Sequence, residues 1–71
     1  MSSNITRIEA NGILRSVQTP CSVADFVAGC GYKSTQVVVE HNGNVLARNE
    51  LAHTMLKDGD RLEVIVPVAG G

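Results

Sequence analysis

Two Asn-Gly pairs, Asn11-Gly12 and Asn42-Gly43, do most to limit what this chain can fold into. A type I′ turn needs positive φ at both central residues, and Asn and Gly tolerate it. Each pair lies between segments with strand character. Residues Ile5 to Ala10 alternate, with Thr6, Ile8 and Ala10 on one side and Arg7 and Glu9 on the other. Ile13 to Gln18 reads as the returning strand. Gln36 to Glu40 is a β-branched run, and beyond the second turn Val45-Leu46-Ala47 returns. The spacing therefore predicts two hairpins.

Between the hairpins the period changes. Pro20 ends the first ladder. Ser22 is placed to cap a helix by accepting from the Asp25 amide, with the Asp25 carboxylate reaching back in a capping-box variant. Val23, Phe26, Val27 and Cys30 then share one helical face. Gly31 suits the left-handed position after the helix, and Gly29 weakens the last turn by up to about 1 kcal/mol relative to Ala. Beyond the second hairpin, Asn49 is expected to cap a short helical segment through Met55. Lys57-Asp58-Gly59-Asp60 is expected to turn, with Gly59 at positive φ. Arg61 to Val66 is expected to form a final strand.

The predicted order is β-β-α-β-β-(short helix)-β. One helix packed on one face of a mixed sheet of about five strands is an α+β fold. Two hairpins joined by a helical crossover suggest the β-grasp, or ubiquitin-like, arrangement. The expected inner set is Ile8, Val37, Val39, Leu62, Val64 and Val66 from the sheet, with Val23, Phe26 and Val27 from the helix. The expected division is a domain over 1-66 and a flexible tail over 67-71.

Size and charge exclude several functions. A chain of 71 residues buries only about 60% of the surface it exposes unfolded, which leaves little room for an enclosed active site. A hydrophobic fraction of 44% and a net charge of -1 read as globular and soluble. The near-neutral balance argues against nucleic acid. No apolar run approaches the length that spans a bilayer, and no secretory signal is visible, so a cytoplasmic location is expected. Cys21 and Cys30 are expected to be buried or inert thiols. Four thiolates for a plant-type iron–sulfur cluster are absent from the sequence.

The tail is Pro67-Val68-Ala69-Gly70-Gly71. Pro67 cannot donate to a ladder and biases Val66 toward an extended conformation. Five extended residues span up to about 17 Å, enough to enter another protein's active site. Gly-Gly passes close to surrounding backbone and leaves the terminal carbonyl open. A free C-terminal carboxylate is ionised at neutral pH and is a poor electrophile. It needs activation, for instance as an acyl-adenylate, and sulfur attack on that species would give a thiocarboxylate. Gly-Gly also arises by composition alone. Its weight comes from directly following the last strand in a domain with no other visible chemistry.

From Val37 onward the chain resembles the ThiS family, the sulfur carriers of thiazole formation in thiamine biosynthesis. The similar stretches are Val38-Val39-Glu40-His41-Asn42-Gly43, Val45-Leu46-Ala47-Arg48, Leu51-Ala52, Leu56 to Glu63 and Val68-Ala69-Gly70-Gly71. The first half agrees in layout more than in residues. The family often has Pro before the Arg, where this chain has Ala47, and a large aromatic near Leu51. The Pro67-Val68 tail also resembles the MoaD family, which delivers sulfur to molybdopterin.

The resemblance implies a co-substrate, with catalysis on its partners. A ubiquitin-activating-like adenylyltransferase would use MgATP to adenylate Gly71. A sulfurtransferase or cysteine desulfurase would supply the sulfur. Thiazole synthase would accept it from the Gly71 thiocarboxylate. Gly70 and Gly71 are the residues that carry over, and no cofactor is expected to be bound by the carrier itself. The other readings are a carrier for molybdopterin or another sulfur pathway, a ubiquitin-like protein modifier, and a plain interaction domain.

The remaining polar residues point to no further chemistry. His41 and His53 have no Cys or carboxylate at ligand-like spacing, so no metal site is expected. The Asp58-Gly59-Asp60 turn lacks the further oxygens of a calcium loop. Ser16, Ser22 and Ser34 have no evident base partner. On the sheet face away from the core, alternation sets Val38 and Ile65 on neighbouring strands near the tail. With Val68 they form the candidate partner-docking surface.

Overall fold

Both Asn-Gly pairs take the turn conformation their sequence demands. Asn11 and Gly12 have φ of 52° and 79°, and Asn42 and Gly43 have φ of 51° and 87°. The computed structural model describes residues 4–68. In it, β1 (Ile5–Ala10) and β2 (Ile13–Gln18) pair antiparallel across the first turn. Strands β3 (Val38–His41) and β4 (Asn44–Val45) pair across the second. Strand β5 (Arg61–Ile65) lies between the hairpins. It is parallel to β1 and antiparallel to β3, giving the order β2-β1-β5-β3-β4. This is a β-grasp sheet.

Helix α1 (Val23–Gly29) has only seven residues. A helix this short is not stable alone in water. Its first three amides all find partners outside the helix. Val23 N–H donates to the Thr54 carbonyl and Ala24 N–H to the Leu51 carbonyl. Asp25 N–H donates to Ser22 Oγ at 3.0 Å, and Ser22 N–H donates to the Asp25 carboxylate at 3.2 Å. The expected capping box is present, and every orphan donor of the first turn is satisfied. The helix lays Val23, Phe26 and Val27 into a core shared with Ile8, Ala10, Val39 and Leu62 from the sheet. Each fully buried valine contributes roughly 1.5–3 kcal/mol. Val37, Leu51 and Leu56 close the core from the connections.

Several local expectations fail. The strand expected at Gln36 begins at Val38, because Ser34–Gln36 forms a 3-10 turn closed by Gln36 Oε1 accepting from the Lys33 amide at 2.8 Å. Strand β4 covers two residues, although the Leu46 amide still donates to the Val39 carbonyl. Asn49 caps nothing. The 3-10 turn Arg48–Glu50 starts after Ala47, whose amide is taken by the Glu50 carboxylate at 2.6 Å. The last strand ends at Ile65. Val66, assigned to the core by alternation, is 45% exposed because neither the short helix nor any other element covers that end of the sheet. Cys30 is exposed, not buried. The helix stops at Gly29 and the chain turns at Gly31 with φ of 94°, so the i+7 position never packs.

Strand β5 has few backbone partners on its β1 side, and the turn residues supply the rest. Ladder pairing with β1 is confined to Glu9 and Ala10. Beyond it, Asn11 N–H donates to the Leu62 carbonyl, and the Asn11 side chain satisfies both backbone groups of Val64. Its Oδ1 accepts from Val64 N–H at 2.8 Å, and its Nδ2 donates to Val64 C=O at 3.3 Å. On the other side, Asn42 Oδ1 accepts from Arg61 N–H at 2.8 Å, and Asn42 Nδ2 donates to Asp60 Oδ1 at 3.1 Å.

Asp60, just before β5, is a buried carboxylate. It also accepts from the Lys57 amide at 2.9 Å and lies 3.0 Å from His41 Nε2. Burial alone would push its carboxyl up. The hydrogen bonds from His41, Lys57 and Asn42, with the charge of His41, outweigh burial and hold it below the ordinary carboxylate value. Gly59 takes φ of 87°, and Asp58 accepts from the Arg7 amide at 2.9 Å. The acidic turn is thus occupied in tying β5 to β1.

Two outcomes are expected. Asn11→Gly keeps the turn's φ but removes the side-chain bridge to Val64, and should lower the stability measured by urea unfolding by about 1 kcal/mol. A carboxyl held low in the folded state stabilises the fold above its unfolded pKa and loses that contribution as pH falls through the folded value. The thermal midpoint should therefore drop below about pH 4, and Asp60→Asn should flatten that drop while lowering the midpoint at neutral pH.

Candidate functional site

Strand β5 leads into the candidate tail. It runs through the middle of the sheet and leaves at Ile65, and Val66 to Val68 have no ladder partner. Val68 is 92% exposed. Gly70 and Gly71, the residues expected to carry the chemistry, lie outside the described residues.

The root of the tail lies between two shallow depressions. One, of about 250 Å³, is on the helix side and is lined by Phe26, Cys30, Tyr32, Val64 and Val66 among others. Arg15 stands over the Phe26 ring at its border, 5.4 Å from the centroid. The other, of about 340 Å³, is lined by Thr35, Gln36, Val37, Val38, Arg48, Val66 and Pro67. Arg48 is its one charged residue, and its place there follows from the 3-10 turn that sequence reasoning did not anticipate. Neither depression encloses a substrate.

Val38 and Ile65 are direct partners on β3 and β5. They face away from the helix and are 39% and 44% exposed. The structure brings these two expected docking residues together at the tail's root, whereas Val68 lies out along the tail. Two residues along, Glu40 stands opposite Glu63 on the same face. Sequence reasoning missed this pair, although the alternation that matched Val38 with Ile65 contains it.

Apart from Cys30, which lines the depression beside Val66, the other reactive groups lie away from the root of the tail. His41 is engaged with Asp60 and, at 3.4 Å, with the Asn42 amide nitrogen. No group of three or more His, Cys, Asp or Glu placed to hold a metal is found among the described residues. Both cysteines are free thiols. Burial, with the Asp25 carboxylate nearby, pushes the Cys21 thiol up and makes it a weaker nucleophile at neutral pH. Among the described residues no helix is long and apolar enough to cross a membrane.

Comparison with known proteins gives one consistent result. The ThiS family model matches residues 7–71. The crystal structure of a thiamine biosynthesis protein (ThiS) from Geobacter metallireducens is similar, with a TM-score of 0.77 and 29% identity, over 93% of this chain and 100% of that one. An NMR structure of a thiamine biosynthesis protein from the same organism gives 0.75 and 29% identity, over 93% and 88%. A thiazole synthase of Paramagnetospirillum magneticum is 28% identical over 65 residues, or 92% of this chain. The chain spans only 20% of the length of that curated relative.

Proposed function

The chain belongs to the ThiS family, and on that premise we propose that it is a sulfur carrier for thiazole formation in thiamine biosynthesis, working through the carboxylate of Gly71. The observation that most supports this reading is the reach of the family match, which runs through Gly70 and Gly71 to the last residue. The fold supports it as well. A body with shallow depressions beside the root of its tail and an exposed strand end is suited to presenting that tail to other proteins rather than to enclosing a reaction.

The proposed chemistry is conventional acyl activation. A carboxylate oxygen of Gly71 attacks the α-phosphate of ATP, forming the acyl-adenylate and releasing pyrophosphate. A sulfur nucleophile then attacks the acyl carbon, forming the C–S bond and expelling AMP. When the sulfur arrives as a protein persulfide, the product is an acyl disulfide. A second thiol cleaves its S–S bond, becomes the disulfide partner and frees the thiocarboxylate.

The carrier supplies the acyl group and its partners supply catalysis, so it acts as a co-substrate. A ubiquitin-activating-like adenylyltransferase uses MgATP, and a sulfurtransferase or cysteine desulfurase provides sulfur. Thiazole synthase receives it, a pairing supported by the similar stretch within a thiazole synthase. The proposed cycle runs in the cytoplasm, where ATP is available. Partners dock on the face carrying Val38 and Ile65, from which the five-residue tail can reach about 17 Å.

Intact-mass measurement after incubation with ATP, the cognate adenylyltransferase and a sulfide source tests the chemistry. The expected result is replacement of one oxygen by one sulfur, abolished by deleting Gly71. An unchanged mass with an enzyme proven active on its own carrier would sink the carrier reading. The docking face is tested separately. Val38→Asp with Ile65→Asp should fold normally yet raise the KM for adenylation, and normal adenylation of that variant would remove the face from the mechanism.

A further inference from the structure

The sheet face behind the tail sets two carboxylates on adjacent strands with no ion pair to either among the described residues. Glu40 on β3 and Glu63 on β5 are directly opposite, and Val38 and Ile65, two residues along, are the next opposite pair on the same face. Val45, the β4 partner of Glu40, adds a further exposed apolar side chain. Cβ atoms of such cross-strand partners are only about 5 Å apart, so like charges there destabilise the sheet. A cation at either position would turn the cost into a gain. The cation available along β5 is Arg61, two residues from Glu63, but its Nε lies 3.5 Å from Glu9 on the other side. Among the described residues, neither Glu40 nor Glu63 makes an ion pair. The face therefore presents two carboxylates without an ion pair, bordered by three apolar side chains, across β3, β4 and the strand that leads into the tail.

We propose that the occupant of this face is a cationic site on the adenylating partner, a guanidinium set among apolar side chains that bridges Glu40 and Glu63 while its surroundings cover Val38 and Ile65. This rests on the sulfur-carrier reading and adds the chemistry by which the carrier is recognised. Arginine fits better than lysine, because its planar fork spreads five donors over two carboxylates. Arginine and apolar contact also characterise the centres of protein interfaces. The negative field on the carrier steers the encounter as well. The same pair is a cost in the free carrier and a contact in the complex. Stability and association therefore respond to it in opposite directions, which a purely structural pair would not produce.

The test uses the full chain with Glu40→Gln and Glu63→Gln combined. A second variant, Ala28→Lys with Ala52→Lys, makes the same change in net charge at exposed positions away from this face. Thermal melting, adenylation kinetics and association rates at low and high salt are measured with the cognate adenylyltransferase. The glutamine variant should melt higher than the wild type. It should associate about tenfold more slowly at low salt, with a flatter salt dependence, a raised KM and an unchanged kcat. The lysine variant should show none of this pattern. Wild-type kinetics and salt response in the glutamine variant would overturn the proposal, as would an equal loss in the lysine variant. A change in self-association confined to the glutamine variant would assign the face to a second copy of the chain and also overturn it. If the wild type is not adenylated at all, the carrier reading falls first and this assignment falls with it.

Discussion

The fold turns on β5, and β5 is held by two asparagine side chains as well as by its neighbouring strands. Backbone pairing to β1 stops after two residues. Asn11 then takes both backbone groups of Val64, and Asn42 takes the amide of Arg61. A central strand with unpaired amides would lose about 1–3 kcal/mol for each group left buried without a partner. The two turns that reverse the hairpins are therefore also the clamps of the strand between them. That double use explains why Asn serves better than Gly at the first turn position. Both tolerate the φ, but only Asn brings a donor and an acceptor.

Because β5 is fixed from both sides, its alternation becomes a sorting device. Leu62 faces the helix and is completely buried, while Glu63 and Ile65 face out. The same strand thus anchors the core and builds the outer face. Covalent continuity does the rest. A segment that starts at the end of a strand braced on both sides has a fixed origin at Val66.

The parts legible in the sequence are those fixed by local chemistry. Positive φ at Asn-Gly, the Ser22–Asp25 capping box, the strand limits of β1 and β2 and the Gly59 turn all depend on residues within a few positions of one another. The placement of Val38 beside Ile65 was legible too, because period-2 alternation on two adjacent strands puts both on the face away from the core. What escaped depends on how far an element continues. Cys30 obeys the helical period, but the helix ends one residue earlier. Val66 obeys the strand period, but no cover reaches it. The 3-10 turns at Ser34–Gln36 and Arg48–Glu50 are closed by long side chains, Gln36 and Glu50, folding back on amides three residues earlier. Such closures carry little signal in residue type. The long-range clamp from Asn11 to Val64 was invisible because the dipeptide was already explained by its turn.

The uncompensated pair Glu40–Glu63 makes sense only against this division of labour. A small domain has little stability to spare, so a repulsive contact in its central strands would ordinarily be removed by a single change to Lys or Gln. Here the same strands are secured elsewhere, by a buried core on one face, by Asp60 with its ring of donors at the start of β5, and by the two asparagines at its sides. Those interactions lie at the strand's start and sides or on the opposite face. The outer face is thereby free of any duty to hold the fold together. Its composition can answer to what binds there, and two carboxylates among exposed apolar side chains are a composition that water and the fold both disfavour but a cationic, apolar partner surface does not.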